Sequence, residues 1–81
     1  MEFSNELIAG DVNFISGEFP KENMEITAKV RYQAPPAPAV LCPLDDGRVK
    51  VVFHEPQRAV TPGQAVVFYD GDIVLGGGTV E

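Results

Sequence analysis

The sequence predicts an all-β fold, a small closed or nearly closed barrel of roughly six strands. Two observations predict it. Apolar and polar residues alternate with period two over Glu25–Gln33 and again over Arg48–Phe53, the mark of strands with one buried face. Seven prolines and eight glycines divide the 81 residues into pieces of strand length, and none of these pieces carries a capped helical pattern. Closure is expected because a closed sheet leaves no unpaired edge.

Taken in chain order, Ile8, Val12, Phe14 and Ile15 predict a first strand, bent or interrupted at Gly10. In the second, Ile26, Ala28, Val30 and Tyr32 face one way, and Thr27, Lys29, Arg31 and Gln33 the other. The run Ala34-Pro35-Pro36-Ala37-Pro38 reads as an extended connector, because proline has no amide donor for a central ladder. Asp45-Asp46-Gly47 lies between two strand-like runs, with Asp46-Gly47 suited to a tight hairpin. Beyond it Val49, Val51 and Phe53 alternate with Arg48, Lys50 and Val52. If that turn has two residues, Cys42 falls opposite Val51 and faces away from His54; a bulge would change the register.

Ala65–Tyr69 and Ile73-Val74-Leu75 are β-branched or aromatic runs, suited to more heavily buried strands. Thr61-Pro62-Gly63-Gln64 places Pro62 and Gly63 at the centre of a type II turn, which requires positive φ at Gly63. Asp70-Gly71-Asp72 supplies another hairpin turn at Gly71. Val30, Val51, Phe53, Val67 and Phe68 are the core candidates, with Val67 and Phe68 on opposite faces of their strand.

A chain of 81 residues is a single domain (residues 1–81), with 44% hydrophobic and 22% charged residues and a mean hydropathy of zero. That is an ordinary globular composition. One cysteine excludes an intrachain disulfide framework and a cysteine-rich zinc site, and it fits a reducing, cytoplasmic location. No apolar run has the length of a membrane span, and the N-terminus lacks the form of a signal peptide. Twelve acidic against six basic residues give a net charge of −6, which argues against an autonomous nucleic-acid binder.

Candidate chemistry is sparse. Cys42 and His54 are the one available nucleophile–base pair, and a buried cysteine with a surface histidine explains them more simply. One histidine and one cysteine are too few for a metal site; Asp70 and Asp72 flank a turn glycine, as turn residues do. Gly76-Gly77-Gly78 lacks the lysine and hydroxyl residue of a phosphate loop, so a bulge or a close backbone approach is the better reading. The bases are more suggestive. Lys29 and Arg31 share one outward strand face, Arg48 and Lys50 another, and Arg58 sits in the loop after Phe53. Those five of the six bases form one patch only if the strands are neighbours; otherwise they are solvated strand faces.

The run from Phe53 through Arg58-Ala59-Val60-Thr61-Pro62-Gly63-Gln64 to Tyr69, then Asp70-Gly71-Asp72 and Leu75-Gly76-Gly77-Gly78, resembles the C-terminal domain of the tRNA-specific 2-thiouridylases. Asp11-Val12-Asn13-Phe14-Ile15 and Ala28-Lys29-Val30-Arg31-Tyr32 match the family's earlier strands in order, so the resemblance covers nearly the whole chain. It implies a six-stranded barrel similar to translation-factor barrel domains. It also implies a parent enzyme that activates the tRNA wobble uridine with ATP and delivers sulfur from a cysteine persulfide, supplied by a sulfur-donor protein. The ATP loop and the two catalytic cysteines belong to upstream domains, and Cys42 matches neither cysteine. The resemblance therefore implies an isolated C-terminal fragment, without catalytic residues, cofactor or metal of its own, that ends near Glu81. Two roles follow: an accessory tRNA-binding domain whose Lys29, Arg31, Arg48, Lys50 and Arg58 meet phosphates, or a structural module packed against the upstream domains. An enzyme using Cys42 is a distant third.

Overall fold

The computed structural model describes residues 3–30, 36–58 and 62–81, with backbone alone for residues 3–4 and 56–58. Six strands form: β1 (Phe3–Phe14), β2 (Met24–Lys29), β3 (Ala37–Pro43), β4 (Val49–Arg58), β5 (Ala65–Asp70) and β6 (Ile73–Val80). They close into an antiparallel barrel in the order β1-β4-β3-β2-β5-β6. The all-β barrel expected from the sequence is the one observed.

The alternation sets the core. Ile26 and Ala28 of β2, Ala39 and Leu41 of β3, Val49, Val51 and Phe53 of β4, and Val66 and Phe68 of β5 are buried with Leu7, Ala9 and Val80. Each set recurs at every second residue, as one face of a pleated strand must. Among the core candidates, Val51, Phe53 and Phe68 are buried, and Val30 packs partly buried against them. Val67 is half-buried, because its neighbour Phe68 takes the interior. The second run differs more. Ile73 and Val74 are 66% and 42% exposed, since they open β6 beside the turn at the rim of the barrel.

The turns follow their glycines. Gly63 has φ 94°, the left-handed value that the second central residue of a type II turn requires. Its amide donates to the Val80 carbonyl at 2.7 Å, tying the turn to the end of β6. Asp70 pairs with Ile73 around a two-residue loop, with Gly71 at φ 62°. The Asp46 hairpin is one residue longer than expected. Pro43 pairs with Val49, and the Leu44 amide donates to the Arg48 carbonyl at 2.9 Å. Asp45, Asp46 and Gly47 form a three-residue loop, with Gly47 in the left-handed region at φ 87°, the geometry of a type I turn closed by a glycine bulge.

Two proline-containing stretches depart from expectation. Ala37 and Pro38 belong to β3 rather than to a connector. They pair with Ala28 and Thr27 of β2, whereas pairing with β4 begins only at Ala39, so Pro38 lies beyond the part of β3 that is flanked on both sides. Arg58 likewise ends β4 instead of lying in a loop, paired with Phe3. The register between β1 and β4 shifts between Ser4 and Glu6.

The triple glycine lies at the β1–β6–β5 seam. A Cβ at Gly76 would collide with the Asn13 carbonyl; one at Gly77 would stand 2.6 Å from the Val66 carbonyl oxygen, and one at Gly78 2.8 Å from that of Gly10. The close backbone approach inferred from sequence is observed. β1 also bends near Gly10, where its register with β6 shifts and Asp11 adopts φ 48°.

The topology positions the surfaces. β1 and β2 are separated by two strands in either direction around the barrel, so residues 15–23 must cross one end of it. The 44–48 and 70–73 hairpins lie at that same end, while β1 begins at the other.

Candidate functional site

The strands that carry the candidate bases Lys29, Arg48 and Lys50 are not neighbours. β3 separates β2 from β4. Lys29 lies opposite Val67, on the outward face of β2. Following the β2–β3 and β3–β4 registers, Lys29 stands level with Pro56, about 20 Å along β4 from Lys50. Arg58 ends β4 on the Lys29 side; its side chain, like the whole of Arg31, lies outside the described residues. Lys29 and the Arg58 backbone thus lie toward one end of the barrel, and Arg48 and Lys50 toward the other.

Arg48 is held by acids. Its Nε donates to Asp46 Oδ2 at 2.8 Å, its Nη2 lies 2.7 Å from the same oxygen, and its Nη1 donates to Glu81 Oε1 at 2.9 Å. Its amide also donates to Asp46 Oδ1 at 3.2 Å. The side-chain hydrogen bond from Arg48, then the backbone one, draws the Asp46 carboxyl below its ordinary pKa, and the same acids raise that of Arg48. A guanidinium with two carboxylates in place is poorly disposed to take a phosphate. Lys50 faces outward between Ile8 and Cys42.

The longer hairpin also moves Cys42. It pairs with Lys50 rather than Val51, so the register differs by one residue and the side chain changes face. Cys42 is therefore half-buried on the outer face that also carries His54. The two still do not meet, because His54 lies four residues along β4 from the partner of Cys42, about 13 Å. His54 instead contacts Glu25 across β3, with Nε2 at 2.8 and 2.9 Å from the carboxylate oxygens. Among the described residues, no group of three or more His, Cys, Asp or Glu could hold a metal ion, and no helix is long and apolar enough to cross a membrane.

One surface was missed from sequence. Phe14, Ile15, Phe19, Met24, Ile73 and Val74 are among the residues lining a groove of about 830 Å³ at the crossed end of the barrel. Ile15, expected in the first strand, instead occupies a turn closed by the Gly17 amide donating to the Phe14 carbonyl at 2.9 Å. Ser16-Gly17 directly after it was the available sequence signal.

These features define a small closed barrel domain whose Cys42 and His54 are not assembled into a catalytic pair. The chain belongs to the aminomethyltransferase beta-barrel domain family, whose model matches residues 4–80. It is 60% identical over 79 residues to the tRNA-specific 2-thiouridylase MnmA of Clostridium botulinum (strain Alaska E43 / Type E3), and 61% identical over 79 residues to that of Acetivibrio thermocellus. A further relative, tRNA-specific 2-thiouridylase MnmA 1 of Thermoanaerobacter sp. (strain X514), is 57% identical over 79 residues. Each match covers 98% of this chain and 22% of the relative, so the chain spans about a fifth of their length. The resemblance to their C-terminal domain is borne out.

Proposed function

We propose that this barrel is a non-catalytic accessory domain of an enzyme that makes 2-thiouridine in tRNA, and that it contacts tRNA phosphates at the end bearing Lys29. The observation that supports this reading is the division of the bases. Lys29 and the Arg58 end of β4 lie toward the same end of the barrel, and Arg31 follows Lys29 by two residues. Such contacts position a nucleic acid without reading its bases. Arg48, engaged by Asp46 and Glu81, has no part in the proposed contact. Lys50 at most extends it along β4. ATP, the persulfide cysteine and the sulfur-donor protein act on the remaining four-fifths of such an enzyme, in the cytoplasm.

Steady-state kinetics of the full-length enzyme test this. Charge reversal at Lys29, Arg31 or Arg58 should raise KM for tRNA severalfold, leave KM for ATP unchanged, and lose its effect as salt screens the phosphates. Arg48→Glu should leave KM for tRNA near the parent value. Unchanged tRNA affinity in all three reversals at low salt would rule out the contact. The exposed apolar groove favours a second reading, in which the barrel is chiefly a packing module.

A further inference from the structure

The groove at the crossed end is an exposed apolar surface built on a firm floor. Ile15 is 73% exposed, Ile73 66%, Val74 42% and Phe19 38%. Phe19 meets Phe14 edge-on, with ring centroids 5.7 Å apart, and Phe14 stacks at 6.1 Å on the fully buried Phe68. The aromatic series ties the groove to the core. Contiguous exposed apolar surface of this kind marks a site of interaction.

The charges around it indicate the occupant. Glu18 and Glu22 line the groove, Asp70 and Asp72 flank Gly71 in the turn that leads into Ile73, and Lys21 is the one base among these residues. That setting repels a phosphate backbone and suits a polypeptide with an apolar centre and basic flanks.

We propose that the groove receives such a segment from the preceding domains of the same full-length polypeptide. Nearly four-fifths of the relatives' length lies outside the matched region. A tethered surface docks at an effective concentration in the range of mM, so a modest patch suffices where a separate partner needs roughly 1,200 to 2,000 Å² of buried surface. The chain enters at the start of β1, whereas the groove lies beyond its end. β1 has 12 residues, about 36 Å of strand. A barrel held only at its entry can swing; a second contact one barrel length away fixes its orientation, and with it the direction in which Lys29 faces. The inference rests on family membership and on the packing reading, not on the tRNA contact.

Hydrogen exchange on the full-length protein tests it, comparing parent with the Ile15→Glu/Ile73→Glu double variant. Residues 14–24 and 72–75 should exchange at least tenfold slower in the parent, at any protein concentration and without tRNA, while residues 39–42 of the core exchange alike in both. Equal exchange at the groove overturns the proposal. Protection that grows with protein concentration overturns it in favour of a second copy, and protection that needs tRNA overturns it in favour of RNA. Should the double variant lose core protection, a photocrosslinker replacing Ile15 alone must capture a peptide from outside residues 1–81 of the same polypeptide, and failure to do so refutes the docking. Groove protection that persists while the Lys29 reversal leaves KM for tRNA unchanged would sink the tRNA reading alone.

Discussion

Arg48 and Glu81 meet across Gly10. The guanidinium extends from the hairpin that opens β4 and the carboxylate from just beyond β6, with β1 between the two strands. They come within 2.9 Å because Gly10 has no side chain, and a Cβ there would collide with the Glu81 carboxylate. The bridge thus spans three strands of the barrel on its outer surface. It removes one guanidinium from the pool of cations that the chain could offer to RNA.

The two kinds of close approach at glycine predict opposite outcomes. Gly10→Ala collides only with the end of a flexible side chain, so Glu81 should swing aside. The contact with Arg48 should be lost with little change in Tm. Gly76→Ala drives its Cβ into the Asn13 carbonyl, and the β1–β6 seam must open. A destabilisation of about 2 kcal/mol or more is expected, in the range of overpacked cores. Denaturant titration of both variants checks the contrast, and a neutral Gly76→Ala would show that the seam yields freely.

Gly63→Ala isolates backbone strain. Among the described residues no atom beyond its chain neighbours lies within 4 Å of a Cβ built there, yet φ is 94°. Stability should fall by on the order of 1 kcal/mol through the left-handed conformation alone. A stabilised variant would contradict the turn geometry.

Asp46 makes the hairpin sensitive to acid. Its carboxyl titrates lower when folded, because Arg48 donates to it from side chain and backbone. The ionised form is thus favoured by folding. Its contribution is complete above the unfolded carboxylate value of about 3.9 and is lost as pH falls through the lower folded-state value. Parent and Arg48→Gln proteins should differ in Tm by a constant amount from about pH 5 upward, and that difference should close in stronger acid. A gap that widens on acidification would be inconsistent with the pair.

Cys42→Ser should leave the fold and Tm nearly unchanged, since the thiol lies half-buried on the outer face. The barrel by itself should neither hydrolyse ATP nor thiolate tRNA. Sulfur transfer by the purified 81-residue chain, abolished by Cys42→Ser, would overturn this.

The sequence by itself determined what depends on neighbours along the chain. Period-two alternation put Ile26, Ala28, Val51 and Phe53 on buried faces, and glycine chemistry placed the turns at Gly63 and Gly71. Its motifs also identified the family. Only the tertiary structure decided what depends on which strands adjoin. It inserted β3 between Lys29 and Lys50, paired Arg48 with Glu81 over Gly10, and extended β4 as far as Arg58. It also left Ile15 and Ile73 outside the core although their residue types suit the interior. Cys42 shows the reason most directly. A hairpin loop longer by one residue leaves the strand propensity of its neighbours unaltered, yet it turns the side chains of one strand to the opposite face relative to the other. Strand order and register are settled by contacts between residues distant in sequence, and local periodicity contains no record of them.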